Sequence, residues 1–134
     1  MPAGDQPATF QLRTHADGPT RTVLLSGELD MLVAPYLEAA VRRVCGDRAA
    51  QLVLDLRSLT FMDSAGLHGI LTAQKLCRES GCSFAVIPGP RQVQVLFELT
   101  GLAECLPFQS DGELSITIED GLLPRLSGLP DLAE

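Results

Sequence analysis

Aromatic residues, lysine and long apolar runs are scarce in this chain, and each shortage excludes something. Tryptophan is absent, and Phe, Trp and Tyr together make up only 4% of the 134 residues. With 46% of the residues hydrophobic, a core is affordable but must be built mostly from Leu, Val, Ile and Ala. The length fits one ordinary domain. Lysine occurs once, at Lys75, and 10 basic residues face 17 acidic ones, for a net charge of −7. That balance argues against a nucleic-acid partner, which is usually met by a clustered basic surface. No basic amphipathic helix suggests a membrane surface, and no apolar run nears the roughly 20 residues that cross a bilayer. An acidic domain suits a protein partner with a basic face. The opening residues, Met-Pro-Ala-Gly-Asp-Gln-Pro, carry neither a basic n-region nor an apolar h-region. The expectation is a soluble cytoplasmic protein.

The cysteines are Cys45, Cys77, Cys82 and Cys105. Without a secretory context they are expected to be reduced. None falls in a CxxC pair, and neither His15 nor His68 completes a ligand set, so they read as structural rather than metal-binding. A phosphate-cradling loop is missing too. Gly66-Leu67-His68-Gly69 lacks the Lys-Ser/Thr of a P-loop, so the chain shows no means of binding ATP, and no cofactor is expected.

Turn and helix signals divide what is present. Residues 1–8 read as a loose tail. Strands are predicted over 9–15 and 20–28, joined as a hairpin by Asp17-Gly18-Pro19, the second lying deeper in the sheet. A helix over 33–46 has Pro35 in its first turn and Leu37, Ala40, Val41 and Val44 in one stripe. Leu52-Val53-Leu54-Asp55-Leu56 is a near-continuous apolar strand of the doubly covered kind, with a short turn after it. A second helix over 65–80 carries Leu67, Ile70, Leu71 and Cys77, and Gly81 ends it. Ser83–Ile87 is a strand, Pro88-Gly89-Pro90 breaks it, and a third helix over 91–100 stops at Gly101. Residues 106–108 read as a short final strand, and 111–119 as either a short helix or a strand. The order β-β-α-β-α-β-α-β is that of an α/β domain, with a mostly parallel sheet and an antiparallel N-terminal edge.

Asp63-Ser64-Ala65-Gly66 stands at the end of the central strand, where α/β domains gather functional groups. A serine at a helix start has three readings: a helix cap, a nucleophile, or a hydroxyl phosphorylated where backbone N–H groups and the helix dipole favour negative charge. The nucleophile reading is poorly served. Gly-x-Ser-x-Gly is absent, and His68 lies one turn along the same helix rather than in front of the hydroxyl. Asp55 as an aspartyl-phosphate acceptor lacks an acidic pair after the first strand, and Lys75 falls mid-helix. Gly27-Glu28-Leu29-Asp30 follows a strand and could set Asp30 beside Ser64 if that strand neighbours the central one; otherwise it is a plain loop before a helix.

Gly27-Glu28-Leu29-Asp30, Ala34-Pro35-x-Leu37, Leu52-Val53-Leu54-Asp55-Leu56, Phe61-Met62-Asp63-Ser64-Ala65-Gly66-Leu67 and Val95-Leu96-Phe97-Glu98-Leu99-Thr100-Gly101-Leu102 together resemble the STAS domains of bacterial anti-sigma factor antagonists, from about residue 9 to 108. The resemblance implies the STAS fold, a mixed sheet with helices largely on one face. It also implies a partner switch and no enzymatic activity. The unphosphorylated form binds an anti-sigma factor that is a serine kinase, and a sigma factor is released for transcription. Phosphorylation of the serine that matches Ser64 ends binding, and a serine phosphatase restores it. Asp30, Asp63 and Gly66 match the surroundings of that serine. Met31, Leu32, Met62, Leu67 and His68 are expected to form much of the contact, with the protein a monomer or weak dimer. His68 stands where the family often has Gly, and 109–134 is an extension without a counterpart. A STAS accessory subunit of a lipid transporter, or a scaffold of a sensory assembly, is the alternative within the fold.

Overall fold

Asp17-Gly18-Pro19 turns the chain back on itself, with Gly18 at φ 60°, and sets the register of the first two strands. The structure, a computed structural model, describes residues 9–109. Strand β1 (Phe10–Asp17) pairs antiparallel with β2 (Thr20–Leu29) from Asp17↔Thr20 to Phe10↔Gly27. Helix α1 (Ala34–Gly46) then crosses to β3 (Gln51–Met62), α2 (Ser64–Ser80) to β4 (Ser83–Ile87), and α3 (Arg91–Leu99) follows. The sheet order is β1-β2-β3-β4, with β2, β3 and β4 mutually parallel. The mixed, mostly parallel sheet with an antiparallel N-terminal edge is the one anticipated.

One core holds the buried stripes of all three helices. Leu37, Val41 and Val44 of α1, Leu67, Ile70, Ala73 and Cys77 of α2, and Val93 and Phe97 of α3 pack with Val23, Leu25, Leu52, Leu54, Leu56 and Val86 of the strands. The three helices therefore share one face of the sheet. On the other face Val53, Ala85 and Ile87 form a smaller buried cluster. Asp55, only 5% exposed, is held there by Arg57, whose Nη2 donates to Oδ2 at 2.9 Å and whose backbone N–H donates to Oδ1 at 3.0 Å. That carboxylate is a structural ion pair.

Three segments differ from the sequence reading. The central strand does not turn after Leu56 but runs to Met62. Register shifts between Leu24 and Ser26 and between Gly27 and Glu28 absorb the irregular stretch, and Leu59 and Met62 re-enter the core. The final strand reduces to one parallel bridge, Val86↔Phe108, because Pro107 has no N–H to extend a ladder. Its carbonyl still accepts from Val86 at 3.0 Å. Third, Ser64 does not cap α2. Asp63 does: its backbone is extended and its carboxylate accepts the Gly66 N–H at 2.9 Å. The predicted tail over 1–8, and the helix or strand over 111–119, lie outside the described residues.

Gly66 has a steric reason to be glycine. A Cβ there would fall onto the Leu29 carbonyl oxygen and within 2.9 Å of Leu29 Cγ and Met62 Cγ. At the other end of α2, Gly81 takes the left-handed conformation, φ 78°, and gives its N–H to Arg78 O at 3.3 Å.

Asp63→Ala removes the cap and should cost about 0.5–2 kcal/mol of stability, with Asp63→Asn retaining most of it, as read by urea unfolding. Gly66→Ala should cost about 1–3 kcal/mol through overpacking against backbone that cannot withdraw; an unchanged unfolding midpoint would show that the approach to Leu29 is looser than described. A third expectation concerns alkali. Burial, then the adjacent thiols of Cys45 and Cys82, push the Cys77 thiol well above its ordinary value of 9.0. The folded state keeps this proton where the unfolded chain releases it, so the contribution is full below pH 9.0 and is lost as pH rises beyond it. The melting temperature should fall above that pH, and fall less steeply in Cys77→Ala.

Candidate functional site

Two chain segments meet at the C-terminal ends of β2 and β3. The strands are parallel neighbours in register to Leu29↔Met62, and the Asp63 N–H donates to the Leu29 carbonyl at 3.3 Å. The loop that begins at Asp30 and the helix that begins at Ser64 therefore start side by side. The pairing of β2 with the central strand, on which that placement of Gly27–Asp30 depends, is present, although Asp30 itself is not among the residues that line the groove beside Ser64.

Asp30 organises its own loop. Its carboxylate Oδ1 accepts the Leu32 N–H at 3.0 Å, and its carbonyl accepts from Val33 at 3.2 Å and Ala34 at 2.9 Å. This is the local side-chain-to-backbone turn that Asp favours. The α1 N-cap, Val33, makes no side-chain cap bond, so Asp30 performs the holding. The folded-back loop leaves Met31 69% and Leu32 72% exposed, which is unusual for such large apolar side chains in adjacent positions.

Ser64 occupies the first helical position of α2 and is exposed. Because Asp63 takes the capping role, the Ser64 hydroxyl makes no hydrogen bond among the described residues, to His68 or to any other group. It sits on the rim of a groove of about 360 Å³ between α1 and α2, lined by Met31, Ala34, Pro35, Glu38, Ser64, Ala65, His68, Gly69 and Thr72. α1 and α2 run close together at Gly69, where a Cβ would make ordinary contact at 3.6 Å with both Ala34 Cβ and Leu37 Cδ2. Glu38 is paired with Arg42 at 2.9 Å.

Not every anticipated contact residue reaches this surface. Met31, Leu32 and His68 are exposed, but Met62 and Leu67 are only 7% and 6% exposed and belong to the core. Strand alternation turns Met62 inward, and Leu67 lies on the buried stripe of α2, so neither offers the contact expected of it. Sequence reasoning in turn missed Ala34, Pro35, Glu38 and Thr72 as groove residues. Their signal was available as helical spacing. Ala34 and Glu38 are four apart on α1, and Ser64, His68 and Thr72 recur every four residues on α2.

Among the described residues no helix is long and apolar enough to cross a membrane. The STAS domain family model matches residues 11–114. An anti-sigma F factor antagonist of Paenibacillus polymyxa is 37% identical over 102 residues, covering 72% of this chain and 83% of that one. A crystal structure of an anti-sigma factor antagonist from Mycobacterium paratuberculosis superposes with a TM-score of 0.69 at 29% identity, over 81% of this chain and 92% of the other. The anti-sigma factor antagonist SpoIIAA in its unphosphorylated form shares the fold, with a TM-score of 0.63 at 21% identity over 78% and 91% of the two chains. A matched family model, a relative of this identity and a common fold agree, and the chain belongs to the STAS domain family.

Proposed function

We infer that this protein is an anti-sigma factor antagonist, acting by binding rather than by turnover. It takes up an anti-sigma factor and so frees a sigma factor. The reading draws on relatives that carry this name at 37% and 27% identity, and its site is the groove rim. In this reading Ser64 is the switch: the anti-sigma factor is also a serine kinase that phosphorylates it, and a serine phosphatase resets it. The protein works in the cytoplasm, where transcription runs, as a monomer or weak dimer.

The observation that carries the switch is the coincidence of an uncommitted, exposed hydroxyl with exposed apolar side chains. Met31 and Leu32 offer area that a partner can desolvate, and Ser64 stands where α1, α2 and the 30–34 loop converge. A phosphate on Ser64 adds about −1.5 to −2 charges at neutral pH. Asp63 precedes it in the chain, Glu38 shares the same groove, and a partner would have to strip its water. Affinity lost in one state and kept in the other is what a population shift requires. Among the described residues the enzymatic alternative finds no base hydrogen-bonded to the Ser64 hydroxyl.

Calorimetric titration against the cognate anti-sigma factor tests this. Ser64→Ala should bind within a few-fold of wild type yet resist release when ATP is added. Ser64→Asp should bind at least about tenfold more weakly, a difference of about 1.4 kcal/mol. Intact-mass measurement after incubation with the kinase and ATP should show one added phosphate in wild type and none in Ser64→Ala. Equal affinity of wild type and Ser64→Asp, with no phosphate gained, would instead favour a scaffold role in which Ser64 only begins a helix.

A further inference from the structure

Among the side chains that line the groove beside Ser64, Glu38 is the acid and His68 is the one group able to become a cation. Ser64 begins α2 and His68 follows four residues later, and both are exposed. They therefore share one face of the helix, with Cβ atoms about 6 Å apart. A helical side chain leans back over the turn that precedes its own Cα, which for His68 is the turn that starts at Ser64. The Ser64 hydroxyl is too short to span that gap, and among the described residues His68 makes no hydrogen bond or ion pair.

The neighbouring acids are engaged elsewhere. The Asp63 Oδ1 accepts the Gly66 N–H at 2.9 Å, the Asp30 Oδ1 accepts the Leu32 N–H at 3.0 Å, and Glu38, facing the groove from α1, is paired with Arg42 at 2.9 Å. Lys75 lies on the same face of α2 about 10 Å beyond His68. No acid thus holds the imidazole in the unmodified protein.

We propose that His68 is the positioning residue for the phosphoryl group on Ser64, pairing with it as an imidazolium across one helical turn and pinning it over the groove most firmly in mild acid. This rests on the reading of Ser64 as the modified residue. A phosphate ester lengthens the serine side chain and adds three acceptor oxygens, which closes the gap that the hydroxyl leaves open. A hydrogen bond between an ionised donor and an ionised acceptor is roughly twice as strong as a neutral one. A phosphoserine loses its second proton at about pH 6, and an unperturbed imidazolium loses its own at about pH 6.5. The ranges overlap, so each charged form favours the other, and the contact fades as rising pH neutralises the imidazole. The helix N-terminus, Asp63 and Glu38 also act on the phosphate, but they are the same in every variant at position 68, so a comparison of those variants isolates this one contact.

The test uses the full chain with phosphoserine inserted at position 64 during translation through a reassigned codon. A phosphorus NMR titration should place the phosphate midpoint about half a pH unit lower in wild type than in His68→Gln, and His68→Arg should restore the low midpoint. At about pH 6.5 the phosphorylated wild type should melt above phosphorylated His68→Gln, and the gap should close by about pH 8.5. The unphosphorylated pair should show no such gain. Equal midpoints in wild type and His68→Gln, a midpoint that His68→Arg leaves high, or an equal melting gap without the phosphate would each overturn the proposal. These readings need no kinase. A kinase that leaves Ser64 unmodified overturns the switch alone, whereas equal phosphorus titrations overturn the role of His68 alone.

Discussion

The parallel pairing of β2 with β3, closed at its end by the Asp63 N–H on the Leu29 carbonyl, is the constraint on which the site depends. Parallel neighbours must be joined by a crossover, so both strands deliver their C-terminal ends to the same edge. With Leu29 opposite Met62, the next residue of each chain leaves the sheet at the same level. The Asp30 loop and the first turn of α2 have no other place to begin. Gly66 then allows α2 to settle directly onto Leu29, which brings the helix start against the strand end without an intervening side chain.

Two aspartates, 63 and 30, carry out the local hydrogen bonding at this edge, and among the described residues the serine hydroxyl has no partner. An Asp at the N-cap satisfies a first-turn N–H that would otherwise need another partner. The residue after it inherits a helical backbone and no structural duty. Asp55 shows the contrast. Its oxygens are occupied by the guanidinium and backbone N–H of Arg57, and it is buried on the face of the sheet without the helices. The same residue type is spent on stability at one site and on shaping an exposed surface at the other.

The helices are legible in the sequence because their apolar spacing and their stops, Gly81 and Gly101, report local physics. The hairpin is legible for the same reason. β3 is harder. Past Leu56 the residues Arg57, Ser58 and Thr60 interrupt the apolar run, and continued pairing with a bulged β2 is a tertiary fact that single-chain periodicity does not encode. Asp63 and Ser64 are both good caps by composition, so only the extended backbone of Asp63 distinguishes them. Met62 and Leu67 show the limit of reading a surface by adjacency, since neighbours of an exposed residue alternate inward on a strand and every third or fourth residue turns inward on a helix. Glu38 enters the site from a helix distant in sequence, and its place there follows from how closely α1 approaches α2 at Gly69.

The Asp30 turn has a kinetic meaning. Three hydrogen bonds to one residue already hold the 31–34 segment in its curled shape before any encounter. Ordering a flexible loop on contact is an entropic cost of association and a source of slow, saturable steps. On the proposed reading, a knuckle stiffened in advance would avoid both, complex formation would approach rigid-body docking, and the lifetime of the complex would be the variable through which exchange between partners is tuned.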